Sequence, residues 1–263
     1  MTVERIGSQT DMIQAEIHDG VGVITLNRPS QRNALHPDMY DAMAELLERF
    51  AADAAITCVL VTSAGSVFCA GGDVRLGIGA APSRDPGVEL VDKARIVRLL
   101  HEMPKVTVAA LPGPAVGAGM SIALAADLRI AARSASLIPG WGKLGFSGDF
   151  GGTWFLTRLV GPARAMQILI DGRPVDAETA LSLGLINRVV ADADLPTAAR
   201  DWARAIAAGP GTAWQGVKAN VADAATLSLD QALPREAERM IECRVTDGHR
   251  LAVRAWFGGH DIV

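Results

Sequence analysis

Two stretches of the chain combine residue types and spacing that could do chemistry. Residues 106–127, VTVAALPGPAVGAGMSIALAAD, run from an apolar strand pattern through small residues straight into a helical pattern. Residues 68–74, FCAGGDV, place a second cluster of small residues after another apolar run. Glycine and alanine at such strand ends let a ligand approach the main chain closely. A helix start adds unpaired N–H groups and partial positive charge, which suit an anion or a developing oxyanion. One amide from each strand end would make a two-donor oxyanion hole. Other glycine-rich chemistries fail on spacing. Gly113–Gly119 is not G-x-G-x-x-G, no Lys-Ser/Thr pair follows Gly119, and no G-x-S-x-G occurs, so neither nucleotide phosphate binding nor a serine elbow is supported. Taken singly, either stretch also reads as tight helix–sheet packing.

The elements that must position these stretches follow from periodicity. Residues 13–17 alternate, Asp19-Gly20 is a hairpin signal and residues 21–26 form the second strand. A polar loop, NRPSQRNAL at 27–35, leads to Pro37 and a helix carrying Met39, Met43, Leu46, Leu47 and Phe50. Strands follow at 56–62 and 106–111, with helical spacing between them at 88–103 and a Gly/Pro/Ala-rich segment at 76–87 that reads as a mobile loop. Short strands at 128–132 and 136–138 lead to the glycine-rich loop 140–152, GWGKLGFSGDFGG, which carries Trp141 and Asp149. Helical stretches at 153–159 and 162–170 are split by Gly161-Pro162, Asp176 caps a helix over 177–183, and a strand at 186–190 ends the mixed part. Four helices are expected beyond residue 195. The pattern is α/β, with a core over 1–194 and a helical region over 195–263 for capping the site or contacting another subunit.

Composition bounds the remaining classes. Of 263 residues, 49% are hydrophobic, enough for one large aliphatic core. A net charge of −4 gives no electrostatic case for nucleic acid or an anionic membrane. The three cysteines, Cys58, Cys69 and Cys243, are scattered and have no metal-ligand spacing, which fits reduced thiols in a cytoplasmic protein. A polar start without an apolar core segment reads as no signal peptide, and no apolar run is long enough for a membrane span. Cys69 has no basic neighbour in sequence and reads as a buried thiol, His36 as a loop or cap residue, and His18, His249 and His260 as surface histidines.

NRPSQRNAL, FCAGGDV, PGPAVGAGMSIALAADLRIA, GGTWFLTRLVGPARAM and AETALSLGLINRVV occur in that order. Together they resemble successive signatures of the crotonase superfamily, the enoyl-CoA hydratase/isomerase family, over about residues 13–190. The resemblance implies a spiral of ββα units with a helical C-terminal region, assembled as a homotrimer or a dimer of trimers. It implies an acyl-coenzyme A thioester as ligand, with coenzyme A arriving as part of the substrate and no permanently bound cofactor. It places the two thioester-binding amides on Gly72 and Ala118. Ala70, Gly71 and Asp73 would line the coenzyme path, with Arg28 and Arg32 as candidate phosphate contacts. For those two arginines a solvated loop charge is the preferred alternative.

Departures from the family pattern shape the expected chemistry. The two glutamates of a hydratase would fall at Ser121 and Trp141, and neither is acidic. Asp149, two residues before GGTW, is similar in position to the single aspartate of enoyl-CoA isomerases. One carboxylate suffices to take a proton from one carbon and return it to another. Trp141, Phe146 and Phe150 nearby would raise its pKa toward a useful range. The competing role for Asp149 is an N-cap or Asx turn for the helix starting near Gly152. Trp141 and Asp149 are also spaced like the pair in 4-chlorobenzoyl-CoA dehalogenases, where tryptophan orients a nucleophilic aspartate. That reaction needs a histidine base, Arg95 stands at its position, and His101 lies nearly two turns further on. Trp141 is accordingly read as a pocket wall. Isomerisation leads, with hydration, dehalogenation and non-catalytic acyl-CoA binding as alternatives. The ending RAWFGGHDIV lacks the family's Lys-Arg pair, which leaves the coenzyme phosphates one fewer obvious cationic partner.

Overall fold

The computed structural model describes residues 4–77 and 85–258. Strand β1 (Glu4–Ile6) pairs antiparallel with β2 (Ile13–His18), which returns into β3 (Val21–Leu26). Asp19 and Gly20 take φ of 50° and 76°, the left-handed pair that a two-residue hairpin turn requires. Helix α1 (Pro37–Ala52) starts with the His36 imidazole accepting from the Asp38 amide, and β4 (Cys58–Ser63) follows. The ladder begins at Cys58 because the Thr57 and Cys58 amides both close onto the Gly20 carbonyl.

The helical pattern at 88–103 resolves into two helices, α2 (Pro86–Lys93) and α3 (Arg95–Glu102). The break falls at Ala94, whose carbonyl accepts a tightened bond from the Val97 amide. The two differ in partners: α2 buries no residue, whereas α3 buries Ile96, Val97 and Leu100. Of the segment expected to be mobile, residues 78–84 lie outside the described residues, as do Gly259 and His260.

The chain continues through β5 (Val106–Leu111), β6 (Ala115–Val116), α4 (Ala118–Ala125), β7 (Leu128–Ala132) and β8 (Ser136–Ile138). Helix α5 (Gly152–Asp171) is broken at Gly161, with φ of 75° and ψ of 164°, just before Pro162. β9 (Val175–Asp176), α6 (Ala177–Ser182) and β10 (Arg188–Val190) complete the mixed part. Helices α7 (Leu195–Ala207), α8 (Gly211–Ala224), α9 (Leu229–Arg244) and α10 (Asp247–Trp256) follow.

A seven-stranded sheet in the order β1-β2-β3-β4-β5-β7-β10 is antiparallel up to β3 and parallel thereafter; β6, β8 and β9 form a second sheet. Period-two alternation sorts the central strands between two cores. Ile24, Val59, Val61, Ala109 and Leu111 face α1, α3 and α4. Val21, Val23, Leu60, Val108 and Ile130 face Leu195, Ala199 and Ala203 of α7. Burial on both faces explains why these strands read as continuous apolar runs. Helices α8, α9 and α10 pack mainly on one another and leave Val217, Val221, Leu233, Met240, Ile241 and Leu251 exposed.

Candidate active site

The two glycine-rich segments meet. The Val116 amide donates to the Cys69 carbonyl at 2.8 Å, and Cys69 and Ala115 form a parallel bridge. From the other side, the Leu35 amide bonds the Gly71 carbonyl and the Asp73 amide bonds the Leu35 carbonyl. Gly72 is thereby fixed through its neighbours, while its own exposed N–H donates to no acceptor among the described residues. Ala118, the first residue of α4, likewise has a free amide, as the opening turn of a helix dictates.

Contact between the segments is as close as glycine permits. A Cβ on Gly71, whose φ is +90°, would stand 2.9 Å from the Val116 carbonyl oxygen and 3.6 Å from the Ala118 nitrogen. A Cβ on Gly119 would meet the Cys69 carbonyl at 2.5 Å. Side chains at either position would push the strand end and the helix start apart. Cys69 is wholly buried, and burial pushes its thiol up to about 12. It packs as a small hydrophobe.

Asp149 is held from three directions. The Trp141 indole N–H donates to its carboxylate at 2.7 Å, while its carbonyl accepts from the Gly152 amide at 3.0 Å and the Ser121 hydroxyl at 3.2 Å. Ser121 sits one turn beyond Ala118, so α4 supplies both a free amide and a support for the acid. Gly151 caps α5 in the left-handed conformation without a side-chain bond. The Asp149 carboxylate therefore does not cap the helix, and the N-cap alternative falls. Trp141 is more than a wall, because its N–H orients the carboxylate. A Cβ on Gly117 would lie 3.7 Å from that indole nitrogen, placing Trp141 against the turn that leads to Ala118.

Partial burial raises the Asp149 pKa, and the Trp141 hydrogen bond opposes that shift. The expected apolar surround is only partly present. Phe150 is buried against the Tyr40 ring, with centroids 5.5 Å apart, but Phe146 is 61% exposed because the loop turns its side chain outward.

Asp73 is paired with two arginines, Arg28 among them. The Asp73 side chain is enclosed between Arg28 at 2.8 Å and Arg75 at 2.9 Å. Hydrogen bonds from Arg75 and then Arg28 hold its carboxyl well below the usual carboxylate range. Arg28 also donates to the Ala34 carbonyl at 3.0 Å, so it is an internal clamp rather than a solvated loop charge. Arg32 is exposed, with φ of 53°, and its carbonyl accepts from the Ala70 amide. The solvated-charge reading fits Arg32 and fails for Arg28.

Arg95, which stands where a nucleophilic aspartate would need a histidine base, and His101 both have partners other than Asp149. Arg95 pairs with Asp41 at 3.4 Å. His101 stacks edge-on against Trp154 and Phe155, and burial is the main cause of its lowered pKa. Sequence reasoning missed Tyr40, the chain's one tyrosine, although it shares the buried face of α1 with Met43 and Leu47. It also gave Ser121 and Gly152 no positive role. A Cβ on Gly152 would stand 2.3 Å from the Trp141 ring, so only glycine admits the indole there.

Comparison with known proteins gives this geometry a context. The sequence profile described as enoyl-CoA hydratase/isomerase matches residues 16–253. The chain belongs to that family. It is 38% identical over 232 residues to the 1,2-epoxyphenylacetyl-CoA isomerase of Escherichia coli, covering 87% of this chain and 88% of that protein. It is 32% identical to 4-chlorobenzoyl coenzyme A dehalogenase-2 of an Arthrobacter species, covering 87% and 84%. The crystal structure of an enoyl-CoA hydratase from Polaromonas sp. JS666 superimposes with a TM-score of 0.87 at 29% identity, covering 94% and 96%. The crotonase fold and its helical C-terminal region are those of this enoyl-CoA hydratase/isomerase family member, an acyl-CoA enzyme by family. No described helix is long and apolar enough to cross a membrane.

Proposed function

We propose that this family member is an enoyl-CoA isomerase with Asp149 as its single acid–base group. The supporting observation is the carboxylate itself: half-buried, raised in pKa, and bonded at 2.7 Å by an indole N–H in place of any helix-capping bond. The two positions where the family resemblance implies hydratase glutamates hold Ser121 and Trp141, and both side chains support Asp149. In the proposed reaction the Asp149 carboxylate takes a proton from a carbon next to the thioester carbonyl. The C–H electron pair moves onto the carbonyl oxygen as an enolate, which the Gly72 and Ala118 amides stabilise. Protonated Asp149 then returns the proton at the far carbon of the original double bond, the enolate collapses back to the thioester carbonyl, and the double bond is left next to it. Each preorganised donor to the enolate oxygen is worth about 2.7–4 kcal/mol in the transition state.

Substitution of Asp149→Asn tests the proposal on a panel of 3-enoyl-CoA thioesters. Turnover is expected to fall by about 10²–10⁴, the usual contribution of a general acid–base group. Unchanged turnover would end the assignment, and tight thioester binding without conversion of any enoyl, epoxide or aryl substrate by the wild type would favour a non-catalytic carrier.

One observation favours a second reading. Tryptophan orienting aspartate is the arrangement that the resemblance to halobenzoyl-CoA dehalogenases implies, and one such enzyme is among the relatives. That reading lacks its histidine base, because Arg95 stands at the position and His101 packs on Trp154 and Phe155. Halide release from 4-chlorobenzoyl-CoA is the direct test.

The apolar residues exposed on α8, α9 and α10 support assembly with further copies, as a homotrimer or dimer of trimers. Sedimentation would distinguish them.

A further inference from the structure

The mechanism leaves one polar side chain beside Gly72 unused. Tyr40 is 8% exposed, yet its hydroxyl has no hydrogen-bond partner among the described residues. The hydroxyl oxygen is not among the buried unpartnered atoms, so it keeps contact with solvent and is free to bond a ligand. The ring packs against Phe150, the residue after Asp149. The hydroxyl would lie 3.7 Å from a Cβ on Gly72. Tyr40 thus touches both Gly72 and the loop that carries Asp149. Between a thioester oxygen at the Gly72 amide and the acid lie the first carbons of the acyl group.

We propose that Tyr40 is a specificity-determining residue whose O–H donates to an oxygen substituent on the acyl chain near the thioester carbonyl. The acceptor chemistry is a hydroxyl, carbonyl or ether oxygen on the first carbons beyond the carbonyl. A plain hydrocarbon chain that displaces solvent from the phenol leaves it unpaired, whereas an oxygenated chain satisfies it. Burial raises the phenol's pKa, so it keeps the proton that it donates to a ligand oxygen. This inference rests on reading Gly72 and Ala118 as the thioester cradle.

Equilibrium binding tests it without reference to turnover. Calorimetry would compare 3-hydroxybutyryl-CoA, butyryl-CoA and free coenzyme A, each with the wild-type protein and with Tyr40→Phe. Phenylalanine keeps the ring on Phe150 and removes only the donor, and a thermal melt verifies that the variant is folded. The wild type is expected to bind the hydroxylated ester about tenfold more tightly than butyryl-CoA, the scale of one hydrogen bond. Tyr40→Phe should erase that difference with butyryl-CoA affinity unchanged. Equal binding of the two esters by the wild type, a preference that survives Tyr40→Phe, or equal weakening of both would overturn the proposal. Failure of the cradle reading has its own signature, both esters binding no more tightly than free coenzyme A, and the Tyr40 assignment would fall with it.

Discussion

The Ser121 hydroxyl donates to the backbone carbonyl of Asp149 across 3.2 Å, joining α4 to a loop 28 residues further along the chain. Through this bond the helix whose first amide is Ala118 also fixes the height of the carboxylate. Ser121→Ala should lower kcat by roughly fivefold to tenfold and destabilise the fold by about 1 kcal/mol, the scale of one neutral hydrogen bond. Steady-state kinetics and a denaturant titration would measure both. A larger loss of stability than of activity would mean that the bond serves packing alone.

Trp141 is expected to set the working pH range. Burial raises the Asp149 pKa and the indole N–H lowers it, so Trp141→Phe removes the lowering contribution. The pKa then rises further, and the acid limb of the pH–kcat profile moves to higher pH. At the optimum kcat should fall by about 10–100-fold, the scale of a hydrogen bond to a charged group. An acid limb that stays in place or moves to lower pH would contradict the arrangement.

Gly71 tests the cradle. Alanine there combines a φ of +90° with a Cβ 2.9 Å from the Val116 carbonyl. Relief requires the FCAGGDV segment to move away from α4, separating the Gly72 and Ala118 amides. The expected stability cost is about 1–3 kcal/mol, with kcat reduced by about 10²–10³. Melting curves and single-turnover rates on a 3-enoyl thioester check the pair. A folded variant with full activity would disconnect the cradle from the chemistry.

The Arg28–Asp73–Arg75 cluster predicts an acid-side effect. The native Asp73 pKa is depressed below the ordinary value of about 3.9. Its stabilising contribution is thus present above that ordinary value and is lost as pH falls through the lowered native one. Arg28→Ala should reduce the melting temperature at pH 7, and the gap from wild type should shrink on acidification toward pH 3. Because Arg28 braces the loop through Ala34 and Asp73, KM is expected to rise more than kcat falls. A gap that widens in acid would exclude the clamp.

Much of the fold was legible because its signals are local. The Asp19-Gly20 turn, the Pro37 helix start, the Gly161-Pro162 break and the Asp176 cap each depend on a few adjacent residues, and each stands where expected. The break at Ala94 was not legible. The apolar spacing of 88–103 runs through it, and only the absence of buried neighbours around α2 separates the two helices.

For the site, the sequence by itself determined the parts: two strand ends rich in small residues, a helix start to offer amides, and a loop with one acid and one tryptophan. Those are properties of residue type and spacing, which the chain carries wherever it folds. Tertiary structure decided the assignments. Asp149 could have capped α5 until Trp141 was found bonded to it, and Arg28 could have faced solvent until Asp73 was found enclosed beside it. Tyr40, Ser121 and Asp149 come from three separate segments, and no local pattern reports that they converge. Hydrogen bonds and desolvation act over a few ångströms in space, whatever the separation along the chain.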